Sequence, residues 1–149
     1  MKKILPLLLL LLISCKENVA QTKENTNTDV ENYNKGNDEL QAHNFSNAIA
    51  YYNEVIKATP ITSTSLITAE SYISRGVAKG ELGDQRGAIS DFSKVINTSK
   101  IQDLKAKAYY MRGIGYLKME DYDSACTDWS KAGEFGITKA YELINQNCN

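Results

Sequence analysis

Histidine is almost missing from this 149-residue chain, where His43 is the single example. A zinc site needs several Cys or His ligands, and one His with no cysteine near it cannot build one. No glycine-rich phosphate loop or nucleophile elbow occurs either. His43 is therefore expected as an exposed turn residue. Glu120, Asp121 and Asp123 are expected to serve a helix start at a turn. No enzyme activity, metal or cofactor is expected. Charge of one sign is also lacking, since 17 bases face 18 acids and no basic cluster appears. That excludes nucleic acid as a partner class. Proline occurs twice, at Pro6 and Pro60. Long apolar runs are missing too. The longest, Ile4 to Ile13, has ten residues and is interrupted by Pro6, whereas a helix needs about 20 to cross a bilayer.

What that short run does resemble is the apolar region of a secretory signal, preceded by Lys2 and Lys3. Its end, Leu12-Ile13-Ser14-Cys15, is similar to the lipobox of bacterial lipoproteins. The resemblance implies that residues 1–14 are removed, that the Cys15 thiol carries a diacylglycerol and that the new amino terminus is acylated. One acyl chain holds only marginally, at about 0.8 kcal/mol per buried methylene, whereas two or more anchor stably. The alternative is an ordinary secretory signal with an incidental cysteine. In that family an Asp directly after the cysteine retains the protein at the inner membrane. Lys16 stands there instead, so an outer-membrane destination is expected, on the periplasmic or the surface face. Lys16-Glu17 also resembles the surface-export signals of Bacteroidetes lipoproteins. Such a compartment permits disulfides.

Without Lys2 and Lys3, 15 bases face 18 acids, a net charge of −3. In the stretch 16–29, only Val19 and Ala20 are apolar. It cannot bury enough to offset the entropy of ordering, so residues 15–29 are expected to be a flexible tether, with a reach of ~20 Å.

Downstream, three stripes repeat. Ala48-Ile49, Tyr52 and Val55-Ile56 form the first, Ala88-Ile89, Phe92 and Val95-Ile96 the second, and Ala125-Cys126, Trp129 and Ala132 the third. This spacing puts each set on one face of a helix. A glycine stands at the same separation ahead of each stripe, at Gly36, Gly76 and Gly113. Asn44, Asp84 and Asp121, each four residues before a stripe alanine, are natural N-caps. Tyr72 and Tyr109 precede the second and third glycines by four residues, and Pro60 closes the first unit.

These segments resemble the tetratricopeptide repeat, a pair of antiparallel helices with small residues where they cross. Tyr72 to Ile96 and Tyr109 to Ala132 match closely. Asn32 to Pro60 departs from the pattern at Asn32 and Glu39. The resemblance implies an all-α, α-α superhelix over residues 30–148, with repeats at about 29–62, 69–102 and 106–137 and a cap helix at about 138–148. Ala140, Leu143, Ile144 and Cys148 mark the face of that cap which would cover Trp129 and Ala132.

Cys126 takes the place of Ile49 and Ile89, and Cys148 lies on the apolar face of the cap. The turn between these antiparallel helices centres near Gly136, ten residues after Cys126 and twelve before Cys148. The two should lie side by side, and a disulfide is expected. The alternative is a pair of buried free thiols.

In the tetratricopeptide family the first helix of each repeat lines a concave groove that receives a peptide. The resemblance assigns to that groove Tyr33, Asn37 and Leu40, then Ile73, Val77 and Gly80, then Lys107, Tyr110, Ile114 and Leu117. The family's carboxylate clamp needs several Lys, Arg and Asn side chains here. Asn37 and Lys107 alone do not make one, so a terminal carboxylate is not the expected ligand. The function implied is a membrane-anchored adaptor for a protein or peptide at the cell envelope. The alternative is a glycan or peptidoglycan binder that stacks sugars on Tyr33, Tyr51 and Tyr110.

Overall fold

The computed structural model describes residues 27–62 and 65–148. Cys15, the leader before it and the tether up to residue 26 lie outside the described residues. Helix α1 covers residues 27–41. It is followed by α2 (Phe45–Ala58), α3 (Leu66–Glu81), α4 (Gln85–Thr98), α5 (Gln102–Lys118), α6 (Tyr122–Glu134) and α7 (Lys139–Asn147). Among the described residues there are no strands. None of the described helices is long and apolar enough to cross a membrane.

The three stripes fold as amphipathic helices because their small and large apolar residues recur every three or four positions. Ala48, Tyr52 and Val55 on α2 are fully buried, as are Ala125, Trp129 and Ala132 on α6, while Phe92 on α4 keeps 3% of its surface. Each aromatic sits against the glycine of the helix before it. A Cβ at Gly36 would lie 2.6 Å from the Tyr52 ring, one at Gly76 2.7 Å from Phe92, and one at Gly113 2.5 Å from Trp129 Nε1. Real Cβ atoms do not approach that closely, so the glycines set how near the two helices of each pair come.

The helix ends repeat as faithfully as the stripes. Asn44, Asp84, Asp121 and Ile137 each donate a backbone N–H to the carbonyl five residues earlier, on Glu39, Lys79, Tyr116 and Ala132, at 2.9–3.0 Å. This is the Schellman closure, which needs a left-handed residue one position before the donor. His43 (φ 60°), Gly83 (φ 87°), Glu120 (φ 63°) and Gly136 (φ 101°) occupy that place. The position of His43 in the fold is thereby explained, and its side chain is exposed. Asp84 then caps α4 by accepting from Gly87 N, and Asp121 caps α6 by accepting from Ser124 N. Asn44 stands at the equivalent place but makes no side-chain capping bond. Its neutral amide is a weaker acceptor for the positive end of a helix than a carboxylate is.

The last three residues of the expected tether are folded instead. Residues 27–29 are already helical, and Asp29 is 3% exposed because its carboxylate accepts a hydrogen bond from Thr59 Oγ1 at the end of α2. At the other end α7 lies on α6, with Ala140 buried and Leu143, Ile144 and Cys148 packed on the Trp129 cluster. Cys126 and Cys148 are joined by a disulfide, with Cα atoms 5.8 Å apart.

Consecutive helices from α2 to α7 pack in order, and α3 also packs against α5. Among the described residues, no comparable packing links α4 to α2 or to α6. The first helices of the repeats therefore crowd on the inner side of the curve. Because neighbours run antiparallel, the molecule has two edges. One carries the starts of α1, α3, α5 and α7 with the ends of α2, α4 and α6. Within a turn of those ends, Lys57, Lys100, Lys105, Lys131 and Lys139 face Asp29, Asp103, Glu134 and Glu142. On the opposite edge Asp38, Glu39, Glu81, Asp84, Glu120, Asp121 and Asp123 face only Lys79, Arg86 and Lys118. The first edge is thus close to neutral and the second is strongly acidic.

Candidate functional site

The inner face of α3 and α5 holds a concave apolar surface. Gly76, Val77 and Gly80 of α3, Ala88 and Phe92 of α4, and Met111, Ile114 and Gly115 of α5 line a cleft of about 60 Å³. Three of its lining residues are glycines. At Gly80 the nearest atoms to an added Cβ are 3.6 and 3.8 Å away, so a Cβ would fit there in ordinary contact. At Gly115 an added Cβ would be 3.1 Å from Ile89. Gln85 Nε2 donates to the Gly80 carbonyl at 2.9 Å and ties the rim.

Two ion pairs cross from α3 to α5 on either side of this cleft. Lys107 Nζ meets Glu70 Oε2 at 2.7 Å, and Lys118 Nζ lies 3.6 Å from Glu81 Oε1. The two glutamates are as far apart in sequence as the two lysines, about three helical turns, so the pairs repeat along the face. The inner face thus neutralises its own lysines. Such half-exposed pairs add little stability. Their larger effect is to occupy Lys107 and Lys118, so that neither is free for an anionic ligand.

The residues assigned to the groove from sequence divide into groups. Val77, Gly80 and Ile114 line the cleft. Tyr110, Ile114 and Leu117 are half-buried against the Trp129 cluster, and Tyr33 and Leu40 against the Tyr52 cluster. Asn37 is occupied, since its Oδ1 accepts from Tyr52 Oη at 2.8 Å. Burial pushes the Tyr52 phenol up to about 12, so it remains a donor at any physiological pH. Ile73 does not belong to the groove surface. It is 1% exposed and lies in the cluster of Ala69, Phe92 and Leu104. Its helix α3 is covered by α2, α4 and α5, so this position loses the solvent that Tyr33 and Tyr110 keep on the outer repeats. The tyrosines considered for sugar stacking are not open platforms either, because Tyr33, Tyr51 and Tyr110 are all half-buried. Among the described residues, no group of three His, Cys, Asp or Glu side chains could hold a metal ion.

One arrangement is invisible to the stripe reading. Arg75 makes two bonds to Asp91, from Nε at 2.9 Å and Nη2 at 2.7 Å, while its Nη1 donates to Asn53 of the preceding repeat at 2.6 Å. Arg112 does the same with Asp128, at 2.7 and 2.8 Å, and with Ser93 at 2.8 Å. Each arginine also lies over a tyrosine ring four or fewer residues away, Tyr72 at 5.1 Å and Tyr109 at 5.5 Å. The Asp128 hydrogen bond raises the Arg112 guanidinium further above its ordinary value. Each arginine therefore fastens its own helix pair and stitches it to the previous one. The sequence signal is Arg-Gly in the first helix of a pair and an aspartate at a fixed separation in the second. The first repeat has Lys35 and Tyr51 at the corresponding places, and Lys35 pairs instead with Glu31.

No family model matches the chain. Over 112 residues it is 28% identical to the human DnaJ homolog subfamily C member 7, and over the same length it is 27% identical to the mouse protein of that name. Those matches cover 75% of this chain, which spans only 22% of the length of these curated relatives. Among solved structures, it is similar to the first TPR of Spaghetti (RPAP3) bound to the HSP90 peptide SRMEEVD. The TM-score is 0.69 at 19% identity, covering 80% of this chain and 90% of that one. MamA gives a TM-score of 0.70 at 20% identity, covering 88% and 71%. The TPR2AB-domain:pHSP90 complex of yeast Sti1 gives 0.68 at 23%, covering 98% and 55%. The fold is a tetratricopeptide-type α-α superhelix.

Proposed function

We propose that this protein is an interaction module that holds a partner protein or peptide on the inner face of α1, α3 and α5, at the cell envelope, anchored by lipid on Cys15. The observation that carries the reading is the apolar cleft at Gly80 and Gly115, flanked by the Glu70–Lys107 and Glu81–Lys118 pairs. Two of the similar structures are described as bound to HSP90 or a peptide of it, which supports a peptide-binding role for this face. The partner differs in kind from an acidic peptide tail, because the lysines of this face are already paired with glutamates. An uncharged segment that seats a small aliphatic side chain between Val77 and Ile114 suits the cleft. Its envelope location rests on the lipobox-like Leu12–Cys15 segment.

The test is in-cell crosslinking of the full-length protein followed by mass spectrometry, beside Cys15→Ser and Gly80→Leu copies. Gly80 has room for a Cβ and lies in the last turn of α3, so leucine there fills the cleft without breaking the helix. A discrete partner crosslinked to the wild type, and lost from both variants, is the expected result. Retention by Gly80→Leu would move the site elsewhere on the domain. No specific partner for the wild type would sink the adaptor reading.

A further inference from the structure

The near-neutral edge of the solenoid carries an apolar patch that is uncovered among the described residues. Leu66 at the start of α3 is 59% exposed and Val30 in the first turn of α1 is 48% exposed. With Ile67 and Thr59 they border a shallow depression of about 440 Å³. Its one charged wall residue, Asp29, is 3% exposed, and its carboxylate accepts a hydrogen bond from Thr59. Lys57, in the last turn of α2, stands beside the patch in sequence, and Lys100 and Lys105 continue the same edge on the next repeat. Exposed apolar side chains on an edge that also carries lysines suit a surface with an apolar interior and anionic headgroups.

We propose that this edge rests on the lipid headgroups, with Leu66 and Val30 inserted at the boundary and Lys57 facing anionic lipid. The proposal rests on the reading of Cys15 as the lipidated residue. Two further observations select lipid over a second copy or a peptide. The chain enters the described fold at this edge, at residue 27, twelve residues after Cys15. Twelve residues reach at most ~40 Å even when extended, so the anchor keeps this edge near the membrane. The seven carboxylates of the opposite edge then point away from an anionic surface, which is the favourable orientation of the molecule's charge separation. The inner face of α3 and α5 would stand between the two edges, open sideways to a partner.

The experiment uses the mature, lipidated protein in vesicles of phosphatidylethanolamine and phosphatidylglycerol with brominated acyl chains. A bimane label is placed at Leu66→Cys on one edge, or at Tyr122→Cys on the other, where Tyr122 is 50% exposed. Cys126 and Cys148 are joined, so the new thiol is the labelled one. The expected result is several-fold stronger quenching at position 66 than at 122, reduced when Lys57→Glu is added. Equal quenching at both positions, with the protein still sedimenting with vesicles, would overturn the docked edge and leave the anchor standing. A protein that does not sediment with vesicles would overturn the anchor reading and this proposal with it.

Discussion

Arg112 and Asp128 meet in a parallel, two-bond arrangement at 2.7 and 2.8 Å, and Arg75 and Asp91 reproduce it one repeat earlier. The side chains are 18% and 4% exposed in the third repeat. Removing one partner from a pair this enclosed strands the other charge, at a cost of about 3 kcal/mol or more. Asp128→Ala should lower the unfolding free energy by about that much in a urea titration. The double change Arg112→Met with Asp128→Leu should lose less than the single one, since no charge is then stranded. A loss below about 1 kcal/mol for Asp128→Ala would mean the pair behaves as a surface bridge.

Two substitutions should move stability in opposite directions for backbone and packing reasons. Gly113→Ala puts a Cβ 2.5 Å from Trp129 Nε1, in the middle of the close crossing of α5 and α6. Overpacking of this kind costs about 1–3 kcal/mol, more than the helix propensity gained. Glu120→Gly does the reverse. Glu120 is exposed and held at φ 63°, a conformation that costs an L-residue about 1–2 kcal/mol and a glycine almost nothing. Thermal unfolding should show Glu120→Gly above the wild type and Gly113→Ala below it. A stabilised Gly113→Ala would show that the helix pair can spread apart without loss.

The features that were legible in the sequence are those written in local periodicity. The stripes at Ala48, Ala88 and Ala125 and their glycines reveal the helix pairs, because a close crossing needs a small residue opposite a large one. Features set by partners far along the chain were not. Ile73 carries the same spacing as Tyr33 and Tyr110, yet it is core because α5 lies across its helix, and nothing near Ile73 in sequence announces that. Asp29 reads as part of a polar tether until Thr59, on the far side of α2, supplies its hydrogen bond. The Arg75 and Arg112 clamps were written as Arg-Gly with a later Asp. A charged pair so widely separated in sequence reads as two exposed side chains until the turn between them is known.

Tyr52 gives the fold a response to alkali. The buried phenol holds its proton to about 12, whereas in the unfolded chain it ionises near 10. A group whose neutral form is favoured by folding contributes full stability below the lower value. That contribution is lost as the pH rises from about 10 to about 12, amounting to about 3 kcal/mol. Tyr52→Phe should remove this part of the pH dependence, while giving up the bond to Asn37, worth about 1 kcal/mol at neutral pH. Urea titrations across that window should show the wild type falling more steeply than Tyr52→Phe. Equal slopes would mean that Tyr52 titrates like an exposed tyrosine.

The cap helix should depend on its disulfide more than the rest of the domain does. Helix α7 has nine residues and buries only Ala140 fully. A helix that short is not stable by itself in water. What holds its far end is Cys148, joined to Cys126 across 22 residues, a closure worth about 3 kcal/mol in the loop-entropy account. Breaking the bond with a dithiol yields two thiols and leaves Ala140, Leu143 and Ile144 as the apolar contacts of α7 with the Trp129 cluster. Reduction, or Cys148→Ser, should therefore free α7 before the other helices. Amide exchange at residues 141–147 should accelerate while α3 and α4 stay protected. Trp129, the one tryptophan of the chain, should report the opening as a red-shifted emission. An unshifted emission with slow α7 amides would assign the hold to the Tyr141 ring against Gly133 and to the apolar face of α7, with the disulfide needed only against larger openings.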